Sequence, residues 1–144
     1  MHWLAILAAL CAPALAAIPA AAQQTYPSKP IRLVVPYPAG GATDFFARLV
    51  FTKMSETLGQ QVVVENRPGA GTAIGASEVA RSAPDGYTLL LGDAGTYAFN
   101  PTLYKKLAYD PVESFVPVGP AGSAPMLLLA RADLPANTLQ EFIS

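Results

Sequence analysis

The sequence predicts an α/β fold in which a parallel sheet carries helices on its faces. Short runs of β-branched and aliphatic residues alternate with longer stretches of helical periodicity. Each run is followed by a loop rich in glycine and small residues. The resulting order, β-α-β-α-β, is the pattern of parallel strands joined by crossover helices.

Each element has a local reason. Pro27-Ser28-Lys29-Pro30 is extended, because a residue that precedes proline avoids helical geometry. Ile31 to Val35 reads as a buried strand with Arg32 as its polar interruption. Pro36-Tyr37-Pro38 ends it, Ala39-Gly40-Gly41 makes a flexible turn, and Thr43 or Asp44 is placed to N-cap the next element. Phe45 to Leu58 reads as an amphipathic helix with Phe46, Leu49, Val50, Met54 and Leu58 on its apolar face. Phe45 and Phe51 are read as core residues as well. Gly59 supplies the left-handed residue after the helix. Gln61 to Glu65 is a second strand, built on Val62-Val63-Val64. Ile74 to Ala83 is a second helix, stopped by the turn tripeptide Pro84-Asp85-Gly86. Tyr87 to Leu91 is a third strand, and Gly92 to Thr96 a third small-residue loop.

Beyond Asn100-Pro101 the pattern thins. Thr102 to Lys106 reads as a short helical piece, Phe115 to Val118 as a short strand, and Met126 to Ala130 as an apolar strand. Gly119 to Pro125 has the composition of a crossing segment. Thr138-Leu139-Gln140-Glu141 matches a capping box, a helix start. A helix announced this close to the last residue predicts that the chain is the N-terminal part of something longer.

Composition narrows the chemistry. The 144 residues suit one modest domain or part of a larger one. A net charge of −1 gives no basic footprint and argues against nucleic acid as a partner. The first 22 residues hold no charged side chain, and Trp3 to Ile18 is apolar apart from Pro13. Ala20-Ala21-Ala22 is a small-x-small cleavage pattern, so residues 1–22 read as an export signal with Gln23 as the mature N-terminus. The run is short for a membrane anchor, and no basic stop-transfer residues follow it. Bulky Leu10 ahead of Cys11 disfavours a lipoprotein site. His2 and Cys11 are the sole His and Cys, and both lie in this leader. The mature chain therefore lacks the parts of a Ser-His-Asp triad, a Cys nucleophile, a His/Cys zinc site or a disulfide. No cofactor and no metal is expected.

Chemistry concentrates in the loops, which come after strands and so share the carboxyl edge of the sheet, where ligands of such sheets bind. The strongest candidate comprises Pro38, Ala39, Gly40, Gly41, Ala42, Thr43 and Asp44. Two glycines let backbone approach a ligand, and a helix start favours an anion through its amides and dipole. The loop contains no Lys or Arg, so the attraction falls to backbone dipoles. A plain strand-to-helix turn is the competing reading. Gly69-Ala70-Gly71-Thr72-Ala73-Ile74-Gly75 resembles a dinucleotide fingerprint, but its third Gly is one residue late and Asn66-Arg67-Pro68 separates it from the strand. Close helix-to-sheet packing explains it better, and Arg67 reads as a structural ion-pair residue. The third loop brings Asp93, Thr96, Tyr97 and Asn100 to the same edge, with hydroxyls and an amide for a polar ligand or for turn chemistry. An Asp44–Asp93 acid/base pair has no local support for a raised pKa.

The sequence resembles the periplasmic solute-binding receptors of tripartite tricarboxylate transporters, the Bug family. The resemblance rests on ordered blocks: Tyr26 to Ile31, Val34 to Asp44, Leu58-Gly59-Gln60, Val63 to Gly71, Ile74-Gly75-Ala76, Ala83 to Leu90, Asn100 to Tyr104, Tyr109 to Val112 and Leu134-Pro135-Ala136. It implies a periplasmic-binding-protein-like, type II (Venus-flytrap) fold with only its N-terminal part present. Residues 23–116 would belong to the first, incomplete domain, and 117–144 to the crossing and the start of the second. It further implies periplasmic capture of a small carboxylate or related metabolite, and delivery to the transporter's membrane subunits. In such receptors the loop matching Pro38 to Asp44 holds a ligand carboxylate, and the loop matching Gly92 to Asn100 adds polar contacts. No catalytic residue is implied. An exported α/β hydrolase using Asp44 or Asp93, and a ligand-sensing module for a signalling partner, are the alternatives. Mass spectrometry of the exported protein should find Gln23 as its first residue; an intact Met1 in the periplasmic fraction refutes the leader.

Overall fold

The computed structural model describes residues 25–125, 127–135 and 138–143. The leader and its cleavage point after Ala22 lie outside these residues.

The strands form where the apolar runs lie. β1 (Ile31–Val35) is flanked by β2 (Val62–Asn66) and β3 (Thr88–Leu90) in a parallel sheet of order β2-β1-β3. Ile31 pairs with Val62 and Val35 with Asn66 on one side; Arg32 pairs with Thr88 and Val34 with Leu90 on the other. The ladder runs past β3, since Arg32 N–H bonds Tyr87 O at 2.8 Å and Leu91 N–H bonds Val34 O at 3.0 Å. The stretch expected from Tyr87 to Leu91 is thus the stretch that pairs.

β1 is buried on both faces, as a central parallel strand must be. Side chains alternate across a strand. Ile31, Leu33 and Val35 face the first helix, α1 (Ala42–Leu58), and form a core with its Ala47 and Phe51 and with Val62. Val50, Met54, Leu58, Val64, Leu89 and Leu91 close around that core. Arg32 points to the opposite face, where it meets Glu78 of the second helix, α2 (Ala73–Ala80). Arg32 also bonds Glu65 at 2.9 Å, while Arg67 bonds Glu65 at 3.2 Å and Glu78 at 3.4 Å. Arg67 is therefore an ion-pair residue, as read from the sequence, and this four-residue network fastens α2 to the sheet.

Several boundaries differ from expectation. α1 begins at Ala42, and its cap is Gly41 in extended geometry (φ −77°, ψ 170°), not Thr43 or Asp44. The Asp44 side chain turns back to the Gly40 amide instead of capping the first turn. The buried face of α1 is set by Asp44, Ala47 and Phe51, the positions that let the helix lie close on the sheet. Leu49 and Phe45 consequently point outward, 64% and 71% exposed, and are not core residues. α2 stops at Ala80, short of Ala83, because Arg81 and Ser82 donate to carbonyls three residues back and tighten the last turn. Gly59 ends α1 in the left-handed region (φ 66°) as the pattern predicts.

The third loop is helical where a flexible loop is expected. A π-helical turn, Gly95–Phe99, runs into a short helix, α3 (Asn100–Leu103). Asp93 starts it, accepting from the Thr96 amide at 3.2 Å, as an N-cap residue does. The helical piece expected at Thr102 to Lys106 thus comes earlier, and Tyr104 is already extended. Phe115 to Val118 forms no strand; Phe115 instead wedges against Tyr97 and Tyr109, each ring 5.7 Å away. Met126 is outside the described residues, and Leu127 to Ala130 forms no strand and is exposed, for no strand edge pairs with it among the described residues. α4 (Leu139–Ile143) follows the expected capping residue, with the Glu141 amide 3.2 Å from Thr138 Oγ1.

Leu33→Ala should lower unfolding free energy in urea by about 2–5 kcal/mol through the cavity it leaves, whereas Leu49→Ala should change it by no more than about 0.5 kcal/mol. A large loss at Leu49 contradicts the face assignment.

Candidate functional site

The strand order 2-1-3 creates a switch point. The chain leaves β1 toward β2 over one face and returns from β2 to β3 over the other. The carboxyl ends of β1 and β3 therefore lie side by side at the switch point, the place where open α/β sheets bind ligands. The loop after β1 and the helical turn after β3 form its two lips.

The first lip is built around one carboxylate. Asp44 is buried in the first turn of α1. Its Oδ2 accepts from the Gly40 amide at 2.9 Å and from Arg48 Nε at 3.1 Å. Its Oδ1 accepts from Asn66 Nδ2 at 3.0 Å and faces Arg48 Nη2 at 3.0 Å. Asn66, the last residue of β2, also donates to Tyr37 O at 3.0 Å and accepts from Arg48 Nη2 at 3.0 Å. One buried carboxylate thus joins the loop, the helix and the end of β2. The Arg48 bond and then the Gly40 amide hold its pKa down at about 2. A carboxylate so fully occupied is a structural anion and no proton carrier at neutral pH. Nothing in the sequence pattern marks Arg48, Asn66 or Tyr37 as site residues on its own. The (i, i+4) spacing of Asp44 and Arg48 was the available signal for the first of them.

Pro38 to Ala42 are exposed, and Thr43 is half-buried. Gly40 has φ +81°, a left-handed turn that glycine adopts without strain. A Cβ on Gly41 would meet Pro38 O at an ordinary 3.4 Å, so that position tolerates a side chain. The first helical bond is Phe45 N–H to Gly41 O at 3.0 Å. The amides of Ala42, Thr43 and Asp44 therefore have no partner within the helix. No side chain caps them among the described residues.

The second lip divides in two. Asp93 stands at the switch point, with Oδ2 accepting from Tyr37 OH and Oδ1 from the Thr96 amide. Burial, reinforced by Asp93, pushes the Tyr37 phenol up to about 12. Thr96 and Asn100 lie deeper, both buried. Thr96 Oγ1 donates to Thr72 Oγ1 at 3.0 Å. Asn100 Nδ2 reaches Gly71 O at 2.7 Å, with Thr72 Oγ1 and Tyr109 OH at 3.2 Å. Tyr109 OH donates to Thr96 O at 2.7 Å. These bonds hold Thr72 at φ 80°, a conformation rare for a β-branched residue. Among the described residues no buried side-chain nitrogen or oxygen lacks a partner. The structure thus links Asp93 to Tyr37, the residue before the Pro38–Asp44 loop, and sets Thr96 and Asn100 in a lock behind Asp93.

The glycine-rich loop after β2 is a packing device. A Cβ on Gly75 would press within 2.9 Å of Arg67 O and 3.0 Å of Pro36 Cβ, so glycine there lets α2 approach β1. Among the described residues no group of three or more His, Cys, Asp or Glu is placed to hold a metal.

A parallel sheet with a switch point and an uncapped helix start beside it places the chain among α/β proteins of the kind that bind ligands at that edge. More specifically, residues 46–144 match the tripartite tricarboxylate transporter family receptor, TctC, and the chain belongs to that family. It is 46% identical over 119 residues to a UPF0065 protein of Bordetella pertussis, a match covering 83% of this chain and 36% of that relative. Among solved structures it is similar to MatC (Rpa3494) from Rhodopseudomonas palustris with bound malate. That match has a TM-score of 0.72 and 44% identity, over 81% of this chain and 40% of the other. It is also similar to the periplasmic binding protein BugD, with a TM-score of 0.62 and 50% identity, over 65% of this chain and 31% of that one. The chain therefore spans well under half the length of these relatives, and its sheet is consistent with an N-terminal part of the periplasmic-binding-protein fold.

The depressed Asp44 pKa makes a pH prediction. A carboxyl whose folded pKa lies below its unfolded value stabilises the fold above the unfolded value and loses that contribution as pH falls through the folded one. The window runs from the ordinary aspartate value of 3.8 down to about 2. In denaturant titrations across it, Asp44→Asn should show a shallower fall of stability with decreasing pH than the parent. Glu65, Asp85 and Asp110, also held down by their partners, supply the remaining slope. Identical slopes for parent and variant refute the keystone role of Asp44.

Proposed function

We propose that the chain is the ligand-gripping part of an extracytoplasmic receptor that captures small carboxylates for a tripartite tricarboxylate transporter. The observation that carries this reading is the start of α1. Its first amides have no capping side chain among the described residues, and they open at the switch point of the sheet. A helix N-terminus attracts an anion through unpaired amides and dipole. Asp44, the acidic residue of that turn, does not oppose this, because Arg48 neutralises it. Malate in the related MatC supports a carboxylate as the ligand class.

In this reading the backbone of Pro38, Ala39, Gly40, Gly41, Ala42 and Thr43 faces the ligand, and Asp44 braces it from behind. Asp93, Thr96 and Asn100 form the opposite lip and its support. Residues 117–144 cross toward a second domain, which closes over the ligand by hinge motion. No bond in the ligand is broken. The occupied state of Asp44 speaks against the hydrolase alternative, because a carboxylate held near pKa 2 is a poor general base. The uncharged leader and the similarity to periplasmic BugD support a periplasmic location, with the transporter's membrane subunits as partners.

The test is calorimetric titration of the full-length protein with malate and other di- and tricarboxylates. Gly41→Val should weaken binding by about 2 kcal/mol, the loss of one charge-assisted hydrogen bond. The Gly41 backbone (φ −77°) accepts valine, whereas Gly40 at φ +81° would add strain to any substitution, so Gly41 is the cleaner probe. Leu49→Ala, on the outer face of α1, serves as the control. Folded Gly41→Val that binds like the parent excludes this loop as the anion site, and ligand turnover excludes the receptor.

A further inference from the structure

We propose that Tyr37 is a positioning residue: it holds the Asp93 carboxylate in place at the switch point, so that the site there accepts an anion. The inference rests on the carboxylate-receptor reading above. It starts from charge at the two lips. Asp44 is paired with Arg48, and Glu65 with Arg32 and Arg67. Asp93 is in no ion pair among the described residues, yet it stands just past the carboxyl end of β3, bonded to Tyr37 of the loop that leads into α1. An unmasked carboxylate there would repel a carboxylate ligand.

Two donors hold it instead. Thr96 N–H occupies Oδ1 at 3.2 Å, and Tyr37 OH occupies Oδ2. Tyr37 is well placed for this because Pro36, buried beside it, and the Asn66 bond to its carbonyl fix its backbone. Gly95 leaves room for the contact: a Cβ there would lie 3.0 Å from Asp93 Oδ1 and 3.7 Å from Tyr37 OH. Loss of the phenol hydroxyl frees Oδ2 and lets the charged side chain turn toward the ligand. The aromatic ring, and its packing on the core cluster, stay.

The experiment measures malate affinity of the full-length parent, Tyr37→Phe, Asp93→Asn and the double variant, each shown folded by circular dichroism. Tyr37→Phe should bind malate about fivefold more weakly, the size of one like-charge interaction at a few ångströms in wet surroundings. Asp93→Asn takes the charge off this lip and should bind malate more tightly than the parent, because even the restrained carboxylate repels an anion. The double variant should return to within about twofold of Asp93→Asn, because the charge that Tyr37 restrains is gone. An unchanged Tyr37→Phe, or a double variant as weak as Tyr37→Phe, overturns the proposal and leaves the receptor reading standing. Weakened binding by Asp93→Asn alone also overturns it, since the carboxylate would then serve the ligand directly. A parent that binds no carboxylate removes both readings.

Discussion

The buried carboxylate of Asp44 is the constraint on which the site depends. A charge in a buried setting is tolerated only when it is paired and hydrogen-bonded. Here its partners come from different parts of the chain: Gly40 from the loop, Arg48 from the helix and Asn66 from the end of β2. Satisfying the charge therefore fixes the loop relative to two elements at once. The same bonds release the first amides of α1 from a side-chain cap, because the acidic residue of that turn is turned backward. One constraint both ties down the loop and leaves the first amides of α1 without a side-chain cap.

The sheet order then decides what the rigid loop faces. With β1 between β2 and β3, the ends of β1 and β3 lie side by side though they are far apart in sequence. Tyr37 and Asp93 meet across that gap. Behind Asp93, the Thr72, Thr96, Asn100 and Tyr109 bonds tie the turn after β3 to the loop after β2. All three strand-end loops are thus cross-linked by side chains. Pre-organisation of this kind lowers the ordering cost of binding.

The strands and their parallel pairing were legible because β-branched and aliphatic runs such as Ile31 to Val35 and Val62 to Val64 have few other ways to be buried. That the three strand-end loops share one edge was legible too, because the strands run parallel. What escaped was decided by tertiary contact. Leu49 and Ala47 both fit a helical stripe, and the closeness of the sheet selected Ala47. Gly92 to Thr96 has the composition of a loop, yet Asp93 caps it into a helix. Thr96 and Asn100 have the side chains of ligand contacts, and nothing local distinguishes these from the buried lock they form. Leu127 to Ala130 has strand composition, but a strand also needs an edge to pair with, and composition does not carry that information.

The charge balance of the loop follows from these contacts. Its nearest cation, Arg48, is spent on Asp44 and Asn66, and the loop itself contains no Lys or Arg. In the proposed reading, attraction therefore resides in amides at fixed places. A fixed set of amides reads the geometry of one carboxylate group and is indifferent to what is attached beyond it. On the same reading, discrimination among carboxylates falls to walls outside this loop. In that reading this chain supplies a grip for a functional group, and the neutrality of the loop is what makes the placement of Asp93 matter.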